Sequence, residues 1–202
     1  MIIDTVVIAT RNRHKTREIA EMLKDLPITV KDLGDFPNCP EVEEDGDTLE
    51  ANALKKARSA HAHTRLPVIA DDTGLEVYYL LGEPGVYSAR YAGDDASYDD
   101  NNRKLLTRMI QVPSRKRQAR FRCVVAFVIH AHEKTFEGII EGHIGRDTVG
   151  SNGFGYDSVF IPEGGPRSFA ELSSVEKNAV SHRARAVAAF KSYLTSTNEA
   201  RP

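Results

Sequence analysis

Residues 6–15 read Val6-Val7-Ile8-Ala9-Thr10-Arg11-Asn12-Arg13-His14-Lys15, an apolar run that gives way to a polar one. Four apolar residues in a row are typical of a buried strand. Beyond the polar part, apolar residues recur at helical spacing from Ile19 to Leu26. We therefore expect the polar part to lie at a turn between a strand and a helix.

The polar part of this turn has the composition of an anion-binding site. The free N–H groups and the positive dipole end at a helix N-terminus attract anions. Thr10, Asn12 and Lys15 add a hydroxyl, an amide and an ammonium group. The glycines of a P-loop or of a dinucleotide-binding turn are absent, so the stretch predicts a phosphate site outside those motifs. An ordinary strand–loop–helix connection is the alternative, because Thr and Asn are common in caps and turns.

Composition limits the class of protein. With 202 residues the chain fits one domain, or one domain of two lobes. Its formal net charge of −2 argues against bulk binding to nucleic acid or to an anionic membrane. The two cysteines, Cys39 and Cys123, lack metal-type spacing, and the beginning of the chain does not resemble a signal peptide. No apolar stretch approaches the ~18 residues of a membrane span. We expect a soluble cytoplasmic protein that binds neither nucleic acid nor membrane.

Strands and helices alternate in the pattern along the chain. Strands are predicted over 5–9, 28–33, 67–70, 74–81, 121–129, 135–144 and 158–161, and helices over 15–26, 48–63, 99–111 and 174–194. Asp47 and Glu50 predict a capping box for the second helix, and the last helix is expected to restart at Ser181. The domain is expected over 1–195, followed by a frayed tail over 196–202.

Two acidic clusters are candidates for metal binding. One is the loop 41–45, with Glu41, Glu43, Glu44 and Asp45, and the other is Asp71-Asp72, expected at the carboxyl end of a buried strand. Strand ends of this kind face the ligand crevice of α/β proteins. Carboxylates suit Mg²⁺ shared with a substrate phosphate, and a carboxylate beside the metal can deprotonate water. The alternatives are a solvated acidic loop and an Asx-type turn.

A third set of candidates lies toward the C-terminus. If Ser181 caps a renewed helix, His182 and Arg183 can present donors to carbonyl or phosphate oxygens. Phe154 and Tyr156 stand in a glycine-rich loop, where a base can stack on an aromatic ring. Solvated helix charges and ordinary core aromatics are the alternatives.

Seven segments carry a family resemblance: 9–18, 43–48, 52–57, 69–75, 84–91, 153–157 and 181–183. Together and in this order they resemble the inosine triphosphate pyrophosphatase family, also described as dITP/XTP pyrophosphatases. The resemblance implies an α/β fold with an elongated central mixed β-sheet, flanking helices, and two lobes with a cleft between them. It further implies Mg²⁺-dependent hydrolysis of deaminated purine triphosphates (ITP, dITP, XTP) to the monophosphate and pyrophosphate by a cytosolic homodimer.

The matched positions imply roles for single residues. The triphosphate would be held by Thr10, Asn12, Lys15 and Lys56. Mg²⁺ would be held by Glu43 or Glu44 together with Asp72, which also resembles the base that activates water. The nucleoside pocket would be lined by Thr73, Phe154, Gly155, Tyr156, Asp157, Lys177, His182 and Arg183. The chain departs from the common pattern at Ala51, where Glu is frequent, at Thr73, where Ser is commoner, and at Ser158, where Pro is usual.

The expected base preference rests on hydrogen-bond donors. Inosine and xanthosine carry a 6-oxo group that can accept from Lys177 or Arg183, whereas adenosine presents an amino group there. A site built on donors rejects the wrong base strongly, because its own polar groups are left unpaired.

Two other functions remain open at this point. A Maf-type pyrophosphatase has the same layout but acts on methylated or pyrimidine nucleotides, and segments 153–157 and 181–183 argue against it. A non-catalytic nucleotide-binding module would not need Asp72 near a separate acidic loop, since carboxylates repel a triphosphate unless a cation intervenes.

Overall fold

The fold is described from a computed structural model, which covers residues 3–199 and the side chains as far as 197. Its strands are β1 (Thr5–Ile8), β2 (Thr29–Asp32), β3 (Val68–Val77), β4 (Gln118–Ile129), β5 (His132–Ile144) and β6 (Phe160–Pro162). They form one sheet in the order β2-β1-β3-β4-β5-β6. β1 runs parallel to β2 and β3, whereas β5 and β6 are antiparallel, so the sheet is mixed.

Five α-helices accompany the sheet within the described residues: α1 (Arg13–Leu23), α2 (Leu49–Thr64), α3 (Tyr98–Arg108), α4 (Ser174–Val180) and α5 (His182–Glu199). The α/β class, with a mixed sheet flanked by helices, is confirmed. No described helix combines the length and the apolar character needed to cross a membrane.

The chain divides into two compact units. The described part of the first comprises residues 3–72, 123–138 and 183–199, and the second comprises 73–122 and 139–182. β3, β4 and β5 each contribute residues to both units. The expected single domain over 1–195 and the cleft between its lobes stay predictions.

Each unit has its own apolar core. In the first unit Val6 and Ile8 of β1 pack with Ile19 and Leu23 of α1. The run at residues 6–8 is fully buried, as expected for a strand covered on both faces. In the second unit the core contains Leu75, Val77, Leu105, Phe121, Phe160 and Phe169. The predicted strand–turn–helix sequence over residues 6–15 is confirmed, because β1 ends at Ile8 and α1 begins at Arg13.

The course of β3 corrects one prediction. Strands were expected over 67–70 and 74–81, with Asp71-Asp72 closing the first, but the structure has one strand over Val68–Val77. Both carboxylates lie in its interior, which is possible because each is paired with a cation. The strand also ends earlier than expected, since Tyr78–Leu80 forms a 3₁₀ turn.

Other element ends differ by a few residues. The N-cap of α2 is Thr48, whose Oγ1 accepts from Ala51 N at 3.1 Å, so the expected Asp47–Glu50 capping box is wrong. β6 begins at Phe160 rather than at 158. The restart at Ser181 is confirmed, because α4 ends at Val180 and α5 begins at His182. α5 is helical as far as Glu199, where a frayed tail was expected from 196, and residues 200–202 lie outside the described range.

Candidate active site

The turn after β1 builds the N-terminus of α1. Asn12 is the N-cap, and its Oδ1 accepts from His14 N at 3.0 Å and from Lys15 N at 3.4 Å. Thr10 Oγ1 accepts from Asn12 N at 3.2 Å. The three polar residues expected to contact phosphate therefore meet at a helix N-terminus, where backbone N–H groups favour an anion.

Asp71 is a carboxylate paired with two cations. Its Oδ2 lies 3.2 Å from Lys15 Nζ, and the same oxygen accepts from Arg183 Nε and Nη2 at 3.2 and 3.1 Å. The side chains of Asp71 and Arg183 are fully buried. Burial alone would raise the pKa of Asp71, but the charges of Lys15 and Arg183 hold it far below its usual range.

Arg183 was expected to line the nucleoside pocket, and the structure places its guanidinium among carboxylates of the first unit. Besides Asp71, it contacts Glu18 of α1, with Nη1 donating to Oε2 at 2.5 Å. Glu18 belongs to the matched segment 9–18, yet nothing in its spacing sets it apart from an ordinary helix charge. Glu18 was therefore absent from the predicted site residues.

Asp72 lies at the centre of a second polar group. Lys56 Nζ donates to Asp72 Oδ1 at 3.2 Å and to Glu44 Oε2 at 2.8 Å. Asn52 Nδ2 donates to Asp72 Oδ2 at 3.3 Å. Asn52 and Lys56 are four residues apart on α2 and so share a face. That spacing is the signal that could have found Asn52, which the sequence analysis did not include in the site.

The charges around Asp72 set its protonation. Burial raises the pKa of Asp72 to about 6, against the opposing effect of Lys56 and Lys15, and the Glu44 carboxylate adds to the rise. Burial would also raise the pKa of Glu44, but the Lys56 ammonium holds it below its usual range. At neutral pH Asp72 is ionised but retains basicity.

The carboxylates of the acidic loop before α2 differ in their contacts and in their exposure to solvent. Glu44 is bound to Lys56, and Asp45 is bound to Lys55 at 2.5 Å. Glu41 and Glu43 are exposed, and within residues 3–199 neither makes an ion pair. The alternative of a solvated acidic loop therefore describes these two positions but not Glu44.

The glycine-rich loop over 153–157 belongs to the second unit. Asp157 Oδ2 accepts from Lys177 Nζ at 2.6 Å and from Phe154 N at 2.8 Å. Lys177 Nζ also lies 4.9 Å from the centroid of the Phe154 ring. Gly153 has a φ of 73°, and a Cβ there would lie 2.1 Å from Asp157 Oδ2, so only glycine fits. The loop thus brings an aromatic ring and a buried ammonium together.

The remaining predicted residues lie around the same unit. Tyr156 is buried, its OH donates to Ser88 O at 3.0 Å, and burial raises its pKa. The His182 ring stacks on Phe121, with centroids 4.6 Å apart. Thr73 and Gly155 are half-buried.

Glu44 and Asp72 are two carboxylates of the first unit that share one cation. Among residues 3–199 no group of three or more His, Cys, Asp or Glu side chains forms a complete metal cage. Glu44 and Asp72 nevertheless supply two carboxylates that face one cation, the Lys56 ammonium. Mg²⁺ usually takes one or two carboxylates and completes its shell with water and substrate phosphate. The donor set therefore fits Mg²⁺ bound together with a phosphate chain.

Known proteins match the chain over nearly its whole length. The dITP/XTP pyrophosphatase of Geobacter sulfurreducens is 50% identical over 190 residues, which cover 94% of this chain and 96% of that protein. A HAM1 protein structure from Coxiella burnetii matches with a TM-score of 0.87 and 38% identity, over 96% of this chain and all of the other. A structure titled nucleoside-triphosphatase / dITP/XTP pyrophosphatase from Mycobacterium abscessus has a TM-score of 0.75 and 42% identity, over 92% and 98% of the two chains.

A family model settles the relationship. The model of the Ham1 family matches residues 6–193, which contain every segment that carried the resemblance. The chain belongs to the Ham1 family.

Proposed function

We propose that this protein hydrolyses the deaminated purine nucleoside triphosphates ITP, dITP and XTP to the nucleoside monophosphate and pyrophosphate. Relatives about half identical to it bear the name dITP/XTP pyrophosphatase, which supports the activity. One structural observation carries the chemistry. Asp72, a buried carboxylate with a pKa of about 6, shares the Lys56 ammonium with Glu44.

The triphosphate is assigned to the turn before α1 and to Lys56. Thr10 and Asn12 stand at the N-terminus of α1, and Lys15 lies in its first turn. The helix N-terminus attracts phosphate oxygens, and the Lys15 and Lys56 ammonium groups neutralise charge. Since an ammonium group binds phosphate oxygen without contacting the base, these residues supply affinity common to all nucleoside triphosphates.

Glu44 and Asp72 are the residues that would hold Mg²⁺. Bound there, the metal would neutralise triphosphate charge and polarise water. Glu44 is the better candidate metal ligand because it already shares a cation with Asp72, whereas Glu43 is exposed.

Asp72 is assigned as the general base. Its carboxylate takes a proton from the attacking water while the water oxygen bonds to the α-phosphorus and the bond to pyrophosphate breaks. In the metal-free protein the pKa of Asp72 is about 6, so the carboxylate is ionised at neutral pH and available to accept a proton. Asn52 holds the other carboxylate oxygen and so fixes the orientation of the base.

The nucleobase is assigned to the glycine-rich loop over 153–157 and to Lys177. The Phe154 ring would stack on the base, and Lys177, held by Asp157, would donate to a 6-oxo group. An adenine amino group would leave the Lys177 ammonium without an acceptor, which disfavours ATP. Thr73, Gly155, Tyr156 and His182 would complete the walls of the pocket. We further propose a cytoplasmic homodimer, as the family resemblance implies.

Product analysis tests the proposal. ITP, XTP, ATP and GTP are each incubated with the enzyme, with and without Mg²⁺, and pyrophosphate, orthophosphate and mononucleotides are measured. We expect ITP and XTP to give pyrophosphate in a single step that requires Mg²⁺. Equal turnover of all four substrates, or stepwise appearance of IDP and orthophosphate, would contradict it.

A further inference from the structure

Two adjacent buried asparagines on α3 hold two different loops of the second unit. Asn101 Oδ1 accepts from Ala92 N at 2.7 Å, and its Nδ2 donates to Ala89 O at 3.0 Å. Asn102 Nδ2 donates instead to Gly155 O at 2.9 Å. Neighbouring positions on a helix point about 100° apart, which is why each asparagine serves its own loop.

The loop that Asn102 contacts depends on an unusual backbone. Gly153 and Gly155 have φ values of 73° and 61°, in the left-handed region that favours glycine. Glycine restricts the backbone dihedral angles less than other residues do, so the path of this segment depends on its hydrogen bonds. Asp157 closes the loop internally by accepting from Phe154 N. Asn102 ties the middle of the loop to a helix.

The same face of α3 also contacts the aromatic ring of the loop. Tyr98 precedes Asn102 by four residues and so lies on the same side of the helix. Its ring centroid is 6.0 Å from that of Phe154, with the planes tilted by 45°. The start of α3 is itself fixed by a capping box between Ser97 and Asp100. α3 therefore supports the loop at the carbonyl of Gly155 and at the ring of Phe154.

The amide of Asn102 makes this contact at a cost. Its Oδ1 is buried and, within the described residues, accepts no hydrogen bond. Reversing the amide would place two acceptors, Oδ1 and Gly155 O, against each other, so the orientation is determined by the loop. A buried acceptor without a donor lowers stability. Asn102 Nδ2 also donates to Ser158 Oγ at 3.4 Å, so both of its donor contacts go to the segment 155–158. A side chain that gives up stability for contacts with one loop is better explained by the loop's geometry than by folding.

We propose that Asn102 is a positioning residue for nucleobase binding. It holds Gly155 in place and thereby positions Phe154 and the Asp157–Lys177 pair. The proposal rests on the proposed function, in which Phe154 and Lys177 contact the base. The residues proposed to bind the triphosphate, and Asp72, belong to the first unit, whereas both hydrogen-bond partners of Asn102 belong to the second. A loosened loop should therefore weaken base recognition more than it slows the chemical step.

Asn102→Leu is the main test, because leucine has a similar shape but lacks both the donor and the unpaired acceptor. We expect its KM for ITP to rise about three- to tenfold, the equivalent of one neutral hydrogen bond, while kcat changes less than twofold. The preference for ITP over ATP, measured as the ratio of kcat/KM values, should shrink by a similar factor. Asn101→Leu is the matched control, equally buried and on the same helix, and it should lower Tm without changing that ratio.

Amide hydrogen exchange gives a readout that does not depend on hydrolysis. Exchange at residues 153–157 should accelerate in Asn102→Leu, and exchange at 89–92 should accelerate in Asn101→Leu. Asn102→Asp, which keeps the volume and loses the donor, replaces the leucine variant if that one fails to fold. Unchanged exchange at 153–157, or faster exchange with unchanged KM and ITP preference, overturns the proposal. Failure of the wild-type enzyme to hydrolyse ITP or XTP would instead overturn the proposed function, while the exchange data would still decide whether Asn102 orders the loop.

Discussion

The guanidinium of Arg183 donates both Nε and Nη2 to a single oxygen of Asp71, Oδ2, at 3.2 and 3.1 Å. Lys15 Nζ reaches the same oxygen at 3.2 Å. Cys123 Sγ is a further, weaker donor to this oxygen at 3.9 Å. Two cations and a thiol on one carboxylate oxygen explain how β3 can carry a fully buried charge in its interior. The contact also joins β3 to the beginning of α5, and so it serves the framework of the first unit.

Arg183→Ala should lower the free energy of unfolding by about 3–5 kcal/mol, because it removes from the buried Asp71 carboxylate the guanidinium that donates two of its hydrogen bonds. Its kcat/KM should fall equally for ITP and ATP, since the lost contacts do not involve a base. Urea unfolding and kinetics on both nucleotides measure the two effects. Full stability with a selective loss on ITP would return Arg183 to the nucleoside pocket. In the Asp71→Asn background, Arg183→Ala should lower the free energy of unfolding by less than it does in the wild type. A double-mutant cycle measures this difference.

The depressed pKa of Asp71 predicts how its contribution to stability depends on pH. A carboxyl group whose folded pKa lies below its ordinary value, 3.8, stabilises the fold above that value and loses the contribution as pH falls. The difference in unfolding free energy between wild type and Asp71→Asn should therefore be constant above about pH 5. Below pH 3.8 it should shrink by about 1.4 kcal/mol per pH unit. A difference that stays constant down to pH 3 would show that Asp71 is not held ionised.

Asp72→Asn should fold normally and lose hydrolysis. The amide keeps the shape of the side chain, and Lys56 retains Glu44 at 2.8 Å, so we expect unchanged or greater stability at pH 7. The raised pKa of Asp72 favours greater stability of the variant, because the ionisation of Asp72 opposes folding as pH rises through about 6. Loss of the base alone should lower kcat by about 10²–10⁴-fold. Glu43→Gln is the matched control at an exposed carboxylate and should change kcat little. Near-normal turnover by the Asp72 variant would remove it from the catalytic role.

The acid limb of the pH profile should report Asp72. With Mg²⁺ below saturation, kcat/KM should rise with pH around an apparent pKa near 6, because only the ionised carboxylate accepts a proton. Raising Mg²⁺ should move this limb to lower pH, since a cation stabilises the ionised form. Profiles at two or more Mg²⁺ concentrations measure the shift. A limb that does not move would separate the titrating group from the metal.

Much of this fold follows from local patterns. The apolar run at 6–8 and the helical spacing after it predict β1 and α1 because burial and periodicity act over a few residues. The continuity of β3 could not be predicted in this way. Asp71 interrupts an apolar strand, and the partner that makes it tolerable, Arg183, is 112 residues away along the chain.

The candidate site shows the same limit. Lys56 could be placed near the triphosphate because a matched motif contains it, and Asn52 had a usable signal in its helical spacing from Lys56. Glu18 and Asn102 had none, since a helix charge and a helix amide look alike whether they face water or a distant loop. Glu18 contacts a residue 165 positions away along the chain, and Asn102 contacts one 53 positions away. Helical and strand periodicity, which is read over a few neighbouring residues, carries no information about such distant pairs.

Substitutions at Asn12 can separate its role as the N-cap of α1 from its proposed contact with phosphate. Its Oδ1 caps α1, and aspartate is as good an N-cap as asparagine, so Asn12→Asp should keep the stability of the wild type. The same change places a negative charge where phosphate oxygens are proposed to bind, and it should raise KM for ITP and ATP by a similar factor, about tenfold or more. Asn12→Ala is the complement, because it removes the cap and should cost about 1 kcal/mol of unfolding free energy without adding charge. Thermal unfolding and KM values on the two variants give the comparison. If Asn12→Asp leaves KM unchanged, Asn12 is a helix cap alone, and the triphosphate lies elsewhere in the first unit.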